Sequence, residues 1–441
     1  MKTTARQAAA RALMQVLGQG GYSNLVLDEI LEKEDLSPVD RSFCAALLYT
    51  TVQHSLTLDH ALAAYSSQPV KKLSPVVLCC LRLGLCQLLY LDSVPENAAV
   101  HETVELCKTL GEPHAAGYVN GVLRGFLRAG RAVPTPKDPL TALSVRYSVP
   151  MPLIQLWRKG YGHQTALDIL AGLESRPPIF LRANSLRCTA PELAQRLQAQ
   201  GLAAQVVESL PGAVRLESIP GGVARLEAFK EGLFHVQDLS SQRCCHAAFA
   251  GGFVPKRALD LCAAPGGKSF TTAQLMLEKL AEKEGVSPAL LLARDLYPAR
   301  ATLIEQGAAR LGLGDTITAR PGDATRFDSA LGQFDLVLCD VVCSGFGILR
   351  RKPEIRYKPL QTLDGLPELQ YNIVDTALGY LAPGGRLVYS TCTLNPAENQ
   401  QVVARLLENH PALALCVPPT TLLPGDCGGD GFFYSVLERK E

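Results

Sequence analysis

Apolar positions recur every three or four residues through the first 130 residues, the spacing of helices that bury one face. Between Tyr118 and Arg128 (YVNGVLRGFLR), Val119, Val122, Leu123, Phe126 and Leu127 form one stripe, while Arg124 and Arg128 lie four apart and project together. The stretch Val76 to Tyr90 (VVLCCLRLGLCQLLY) is apolar nearly all round, which predicts the central helix of a bundle. Ala9, Leu13, Val16 and Leu17 begin the series at helical spacing. Residues 1–133 are predicted to be all-α. Pro134, Pro136 and Pro139 then crowd into six residues, a pattern that suits neither helix nor strand interiors and predicts a linker.

From 140 to 236 the texture is mixed: a helical pattern around PLIQLWRKGYG, a strand-like PIFLRANSL, a helical APELAQRLQAQ and short strands with PGG turns. A small α+β module is expected there. From 237 to 441 the apolar runs ALDLC, ALLLARD, TITAR, FDLVLCD and GRLVYSTC alternate with helical patterns such as ARATLIEQGAARLGL, which predicts an α/β domain with a parallel sheet covered by helices. Three domains suit a length of 441 residues.

A hydrophobic share of 47% with 19% charged residues is that of a folded protein, and no apolar run is long enough to cross a bilayer. The N-terminal stretch has no continuous apolar region of the secretory kind, so the expectation is a cytoplasmic protein with no membrane role and, among its 14 cysteines, mostly free thiols. Cys79-Cys80 and Cys244-Cys245 lack zinc-finger spacing, so no metal is expected. Net charge is +1, with the middle region the basic one: Lys+Arg against Asp+Glu is 13 and 13 over residues 1–145, 11 and 8 over 146–250, and 19 and 21 over 251–441. Inside the last region, Leu349 to Pro359 (LRRKPEIRYKP) concentrates Arg350, Arg351, Lys352, Arg356 and Lys358, either as a solvated loop or as a contact for nucleic-acid phosphates.

In open parallel sheets, ligands bind beyond the carboxyl ends of the strands. The runs here end in CAAPGGKS (from Cys262), in Asp295, in GDAT with Asp323, in Asp340, and in Cys392, with Cys343 three residues after Asp340. Cys262 stands where a phosphate loop needs its first glycine, which disfavours a nucleoside triphosphatase. Gly266 and Gly267 instead allow a ligand close to the backbone at a helix N-terminus, and Asp295 is placed to take ribose hydroxyls, so an adenosyl ligand is expected.

Five of these stretches, LDLCAAPGGKS, DLYPAR, GDAT, LCDVVCSG and LVYSTCTLNPAEN, stand in the order seen in the RNA cytosine-5 methyltransferases of the Sun/NOL family, which the chain resembles. The N-terminal VHETVELCKTLGEPHAAGYVNGVLRGFLR resembles a NusB-like RNA-binding domain, and RYSVPMPLIQLW with PPIFLRANSL resembles the family's RNA-binding linker module. The resemblance spans the whole chain. It implies a Rossmann-like, class I methyltransferase domain and S-adenosyl-L-methionine as cofactor. The donor would be held by Cys262, Ala263, Ala264, Pro265, Gly266, Gly267 and Lys268, with Asp295, Arg300, Asp323 and Asp340. It further implies Cys392 as nucleophile, Cys343 as an aid to product release, catalytic parts for Asp340 and Lys268, and 16S rRNA as substrate for a monomeric enzyme.

The chemistry supplies a reason for the thiols. Carbon 5 of cytosine is a poor nucleophile until a thiolate adds to carbon 6, so one thiol must be exposed and deprotonated, in an electropositive setting to which Lys268 would contribute. Asp340, kept partly protonated by burial, would donate to the ring nitrogen that gains charge. The base must leave its stack, which favours single-stranded or loop RNA. Two departures stand out: Val342 replaces the family's proline before Cys343, and Thr393 replaces its common serine after Cys392. The alternatives are a non-catalytic NusB-like RNA-binding or antitermination factor, a methyltransferase of proteins or small molecules, and a cytosine methyltransferase acting on tRNA or 23S rRNA.

Overall fold

The computed structural model describes residues 3–282 and 289–440. By mutual contact the chain forms two units, Met1–Glu174 with Leu349–Leu360, and Ser175–Ile348 with Gln361–Glu441.

The first unit is helical. Helix Ala5–Gln19 starts at a capping box between Thr4 and Gln7 and stops at Gly20, whose φ of 75° suits glycine. Helix Pro75–Tyr90 buries residues on all sides, as its pattern predicts, and helix Ala116–Arg128 turns Val119, Val122, Leu123 and Phe126 into the same core. Helices Pro139–Tyr147, Met151–Tyr161 and His163–Gly172 also belong to this unit. The proline-rich stretch before them is tied to helix Ser55–Tyr65: His60 Nε2 pairs with Pro134 O at 2.8 Å, and Tyr65 Oη donates to Ala132 O at 2.6 Å. A proline-rich segment lacks N–H groups, but its carbonyls remain available as acceptors.

The basic stretch at Leu349–Leu360 is packed within this helical unit. Arg356 is fully buried, with Nη1 donating to Gln53 O (3.0 Å), Ser148 O (3.2 Å) and Tyr147 O (3.4 Å), and Nη2 to Leu349 O (3.3 Å). The first three acceptors end helices Pro38–Gln53 and Pro139–Tyr147, where carbonyls lack helical partners and the helix dipole favours a cation. Tyr357 Oη donates to Val52 O (2.8 Å), and buried Glu354 accepts from Ser23 N (3.1 Å) and Oγ (2.7 Å). Lys352 and Lys358 flank the Tyr22 ring at 5.1 and 4.9 Å. The stretch is neither a solvated loop nor, at Arg356, a phosphate contact, because the guanidinium is buried and main-chain carbonyls take up both of its terminal nitrogens.

The second unit contains two sheets. Strands β1 (Ile179–Ala183), β2 (Ala204–Val206), β3 (Ala213–Leu216) and β4 (Phe234–Val236) form an antiparallel sheet in the order β2-β3-β1-β4, packed against helix Ala190–Gln198. The larger sheet has the order β10-β11-β9-β8-β5-β6-β7, from β5 (Arg257–Asp260), β6 (Leu290–Asp295), β7 (Ile317–Pro321), β8 (Phe334–Asp340), β9 (Leu381–Thr391), β10 (Leu413–Leu422) and β11 (Phe432–Arg439). The five strands from β9 to β7 are parallel and are the five that the apolar runs predict. The antiparallel pair β10 and β11 was not among them, because Pro418 and Pro419 break the alternation in β10 and the pairing shifts register on both sides of Val417. Strand order reverses between β5 and β8, which opens a crevice beyond their carboxyl ends.

Buried amides join the small sheet to helix Gly267–Ala281, which follows β5. Asn184 Nδ2 donates to Gly232 O and Leu311 O, both at 2.8 Å, and Asn184 Oδ1 accepts from Gln274 Nε2 at 3.2 Å. His235 Nε2 meets Thr271 Oγ1 at 3.1 Å, and Thr271 donates to Gln237 Oε1 at 2.6 Å. Burial, with the charge of Arg182, pulls the His235 imidazole down to about 3, so it is neutral. Among the described residues no helix is long and apolar enough to cross a membrane, and no group of three or more His, Cys, Asp or Glu could hold a metal ion.

Candidate active site

The crevice holds a cavity of about 190 Å³ whose lining includes Gln237, Ser241, Asp260, Cys262, Ala263, Ala264, Pro265, Gly267, Lys268 and Asp340. Gly266 makes the turn into the helix with a φ of 107°, where a β-carbon would run into the Phe270 ring. Asp295, at the end of β6, is buried and accepts from Ala264 N (3.2 Å) and Tyr297 N (3.3 Å). Arg300 lies 3.4 Å from Asp295 and donates to Ala264 O at 3.1 Å, so the pair braces the loop. Asp323 faces its own turn, accepting from Thr325 N (2.9 Å) and Oγ1 (2.6 Å), and these bonds hold its carboxyl below the usual range. Of the expected cofactor residues, Cys262, Ala263, Ala264, Pro265, Gly267, Lys268 and Asp340 line one cavity, Asp295 and Arg300 brace its loop at Ala264, and Asp323 points its carboxylate back into the chain.

At the carboxyl end of β8, Asp340 accepts from Lys268 Nζ at 2.7 Å and from Ser390 Oγ at 2.8 Å, and Lys268 also donates to Ser241 Oγ at 2.9 Å. The burial expected for Asp340 is partial: its side chain is 31% exposed and lies in an ion pair with Lys268. Lys268 stays charged: burial is the largest single influence and opposes the charge, but the charge and hydrogen bond of Asp340, with the neighbouring Cys244 and Cys245, together raise the ammonium above its ordinary value.

Asp260, which the sequence reading passed over inside ALDLC, ends β5 fully buried in the cavity wall. Ser269 Oγ donates to its Oδ2 at 2.6 Å, and among the described residues Oδ1 has no hydrogen-bond partner. Burial pushes this carboxyl from 3.8 up to about 7. An orphaned buried carboxylate oxygen beside Asp340 and a glycine turn suits a cationic ligand with polar edges, and S-adenosylmethionine, a sulfonium with ribose hydroxyls and an amino group, fits that donor set.

The Asp260 shift has a consequence for stability. Between 3.8 and about 7 the folded state keeps a proton that the unfolded state has released, so this contribution is complete below 3.8 and is lost as pH rises through 7, roughly 4 kcal/mol at most. The Asp260→Asn variant is expected to lack that loss. Thermal unfolding of both proteins from pH 5 to pH 8 should show the wild type falling relative to the variant; parallel curves would refute it.

The two expected thiols meet. Cys392, just past β9, and Cys343, in the loop after β8, have their sulfurs 3.3 Å apart, and both remain partly exposed. The hydrogen bond with Cys392 pushes the Cys343 thiol well above the usual range, and burial and the charges of Glu398 and Asp340 add to the effect. Gly347 N donates to Cys392 O at 2.9 Å, an approach that a β-carbon would block by striking Gly431 O. Val342, in place of the family's proline, is 52% exposed, and its carbonyl is fixed by Gln370 Nε2 at 2.9 Å. Thr393 keeps the serine's hydroxyl function, with Oγ1 2.6 Å from Ser344 Oγ and accepting from Phe346 N at 3.3 Å.

Comparison with known proteins agrees with this architecture. The chain matches the NusB family over residues 3–128, the ferredoxin-like domain of the RsmF/B-like methyltransferases over 149–221, and the family 16S rRNA methyltransferase RsmB/F over 255–438. It is 34% identical to a probable ribosomal RNA small subunit methyltransferase B of Bacillus subtilis (strain 168), across 100% of this chain and 99% of that one. It is 32% identical to ribosomal RNA small subunit methyltransferase B of Proteus mirabilis (strain HI4320), across 100% of both. The crystal structure of PH0851 shares the fold, with a TM-score of 0.80 and 22% identity over 100% of both chains. A helical NusB domain and a Rossmann-like sheet with a cavity at its switch point thus meet in one sequence, and the chain belongs to the S-adenosylmethionine-dependent ribosomal RNA small subunit methyltransferase B family.

Proposed function

We propose that this methyltransferase forms 5-methylcytidine in 16S rRNA through a covalent bond between Cys392 Sγ and carbon 6 of the target cytosine. The observation that carries this reading is the pair of partly exposed sulfurs 3.3 Å apart, each within three residues of the Asp340–Ser390 contact at the mouth of the donor cavity. Methylation of an oxygen or an amine needs no thiol, whereas carbon 5 must first be made nucleophilic by addition at carbon 6.

Bound S-adenosylmethionine supplies the electrophilic methyl group. Asp295 and Arg300 shape the loop that holds the donor, Gly266 makes its turn, and Gly267 in the cavity wall leaves room for it. Asp340 contacts the base edge, its carboxylate accepting from the exocyclic amine, while the positive charge of Lys268 offsets the negative charge that grows on the ring during addition. Cys392 adds to carbon 6. After methyl transfer Cys343 takes the hydrogen from carbon 5, and the carbon–sulfur bond to Cys392 breaks. A flipped base from single-stranded or loop RNA meets the requirement for access.

The test joins reaction and target. Full-length protein with S-adenosylmethionine is expected to form a denaturation-resistant complex with 5-fluorocytosine 16S rRNA, and bisulfite sequencing of rRNA from cells lacking the protein is expected to lose one small-subunit signal. An unchanged 16S pattern, with a signal lost from tRNA or 23S rRNA, would assign another substrate.

A further inference from the structure

Glu398 and Asn399, the last two acid and amide residues of LVYSTCTLNPAEN, are fully buried and have no part in the chemistry proposed above. Among the described residues, no cation is a hydrogen-bond donor to Glu398. Its Oε2 accepts from Ser344 N (2.8 Å) and Gln370 Nε2 (2.9 Å), and its Oε1 from Ser344 Oγ (2.5 Å) and Asn395 Nδ2 (2.8 Å). The same Gln370 Nε2 donates to Val342 O. The residues before and after Cys343 are therefore both gripped by the Glu398–Gln370 pair. Asn399 brackets the other thiol: Oδ1 accepts from Thr391 Oγ1 (2.6 Å), and Nδ2 donates to Thr393 O (2.9 Å). The contact between Ser344 Oγ and Thr393 Oγ1 joins the two brackets.

A buried carboxylate is costly, and hydrogen bonds alone leave its charge unneutralised. Closing a loop would not require one. We propose that Glu398, with Gln370 and Asn399, is a positioning residue that holds the two sulfurs at contact distance, so that Cys343 stands ready to take the carbon 5 proton once Cys392 has bonded to the base. The inference rests on the covalent reading above. The negative charge of Glu398 contributes to the upward displacement of the Cys343 thiol, after the bond to Cys392 and burial.

The proton count closes. Moving a methyl group from a sulfonium to a C–H carbon releases one proton overall, and Cys343 gives that proton to solvent once the adduct exists. Its thiolate then takes the carbon 5 hydrogen as a proton, the electron pair forms the C5–C6 double bond, and the C6–S pair returns to Cys392. Thiol and thiolate end where they began.

The experiment uses the full chain with S-adenosylmethionine, 5-fluorocytosine RNA and unmodified RNA. Glu398→Gln is expected to form the fluorocytosine adduct but to release product about tenfold more slowly, so that adduct accumulates on unmodified RNA. Removing the charge eases ionisation of Cys343, so the rising limb of turnover against pH should move to lower pH. Release at the wild-type rate with an unmoved limb overturns the proposal, whereas absence of any adduct in the wild type overturns the covalent reading instead. If Glu398→Gln does not fold, Gln370→Met decides, because it keeps the charge and loses the grip on Val342: slowed release at an unmoved pH limb supports the proposal, and unchanged release overturns it.

Discussion

Cys392→Ala is expected to abolish covalent capture of RNA and to reduce methyl transfer by on the order of 10⁴-fold or more, the scale seen when a nucleophile is removed from a covalent mechanism. The size follows from the chemistry, since nothing else at the end of β9 can add to carbon 6. Ser390 Oγ is turned to Asp340 and Thr393 Oγ1 to Ser344. Cys343, although 3.3 Å away, is held protonated and sits on a loop fixed from both sides. Cys343→Ala should behave in the opposite way, forming the adduct and accumulating it on unmodified cytosine because the carbon 5 proton has lost its acceptor. Single-turnover transfer of labelled methyl groups, followed by denaturing gels, separates the two. A Cys392→Ala protein retaining a tenth of the wild-type rate would remove the covalent mechanism.

Arg356→Ala is expected to destabilise the helical unit by about 3 to 5 kcal/mol, the range for removing a buried charged group whose terminal nitrogens are hydrogen-bonded. Four carbonyls lose this donor at once, three of them at helix ends, where only Gln53 O keeps a second described donor, the Tyr357 hydroxyl at 3.4 Å. Burial lowers the Arg356 guanidinium from its ordinary value, and the neighbouring Tyr357 and Glu354 act against that, so the residue enters the folded unit as a cation. Arg356→Lys should recover little, because one ammonium lacks the planar fork that reaches several carbonyls. Differential scanning calorimetry of the full chain is expected to show the transition of the helical unit lowered by roughly 10 °C, and an unchanged transition would mean that water replaces the guanidinium.

Much of the fold was legible in the sequence because burial imposes a period on it. The stripe Val119, Val122, Leu123 and Phe126 is buried, and five apolar runs are five parallel strands. Position along a strand was also readable. Asp295, Asp340 and Cys392 stand at or just past strand ends, where an open parallel sheet exposes its ligands. The antiparallel pair β10 and β11 escaped because two prolines disturb the alternation of an edge strand.

What the sequence by itself determined is the class of elements, the family motifs and the residue types available for chemistry. Tertiary structure alone decided their partners: that Asp340 meets Lys268 across 72 residues and is an ion pair, that Cys343 meets Cys392 across 49, that Arg356 belongs to a helical core, and that Asp260 is sealed with one oxygen unpaired. The physical reason is that local periodicity records only whether a side chain is buried. Protonation and hydrogen-bond partner depend on groups that chain folding brings close from far along the sequence.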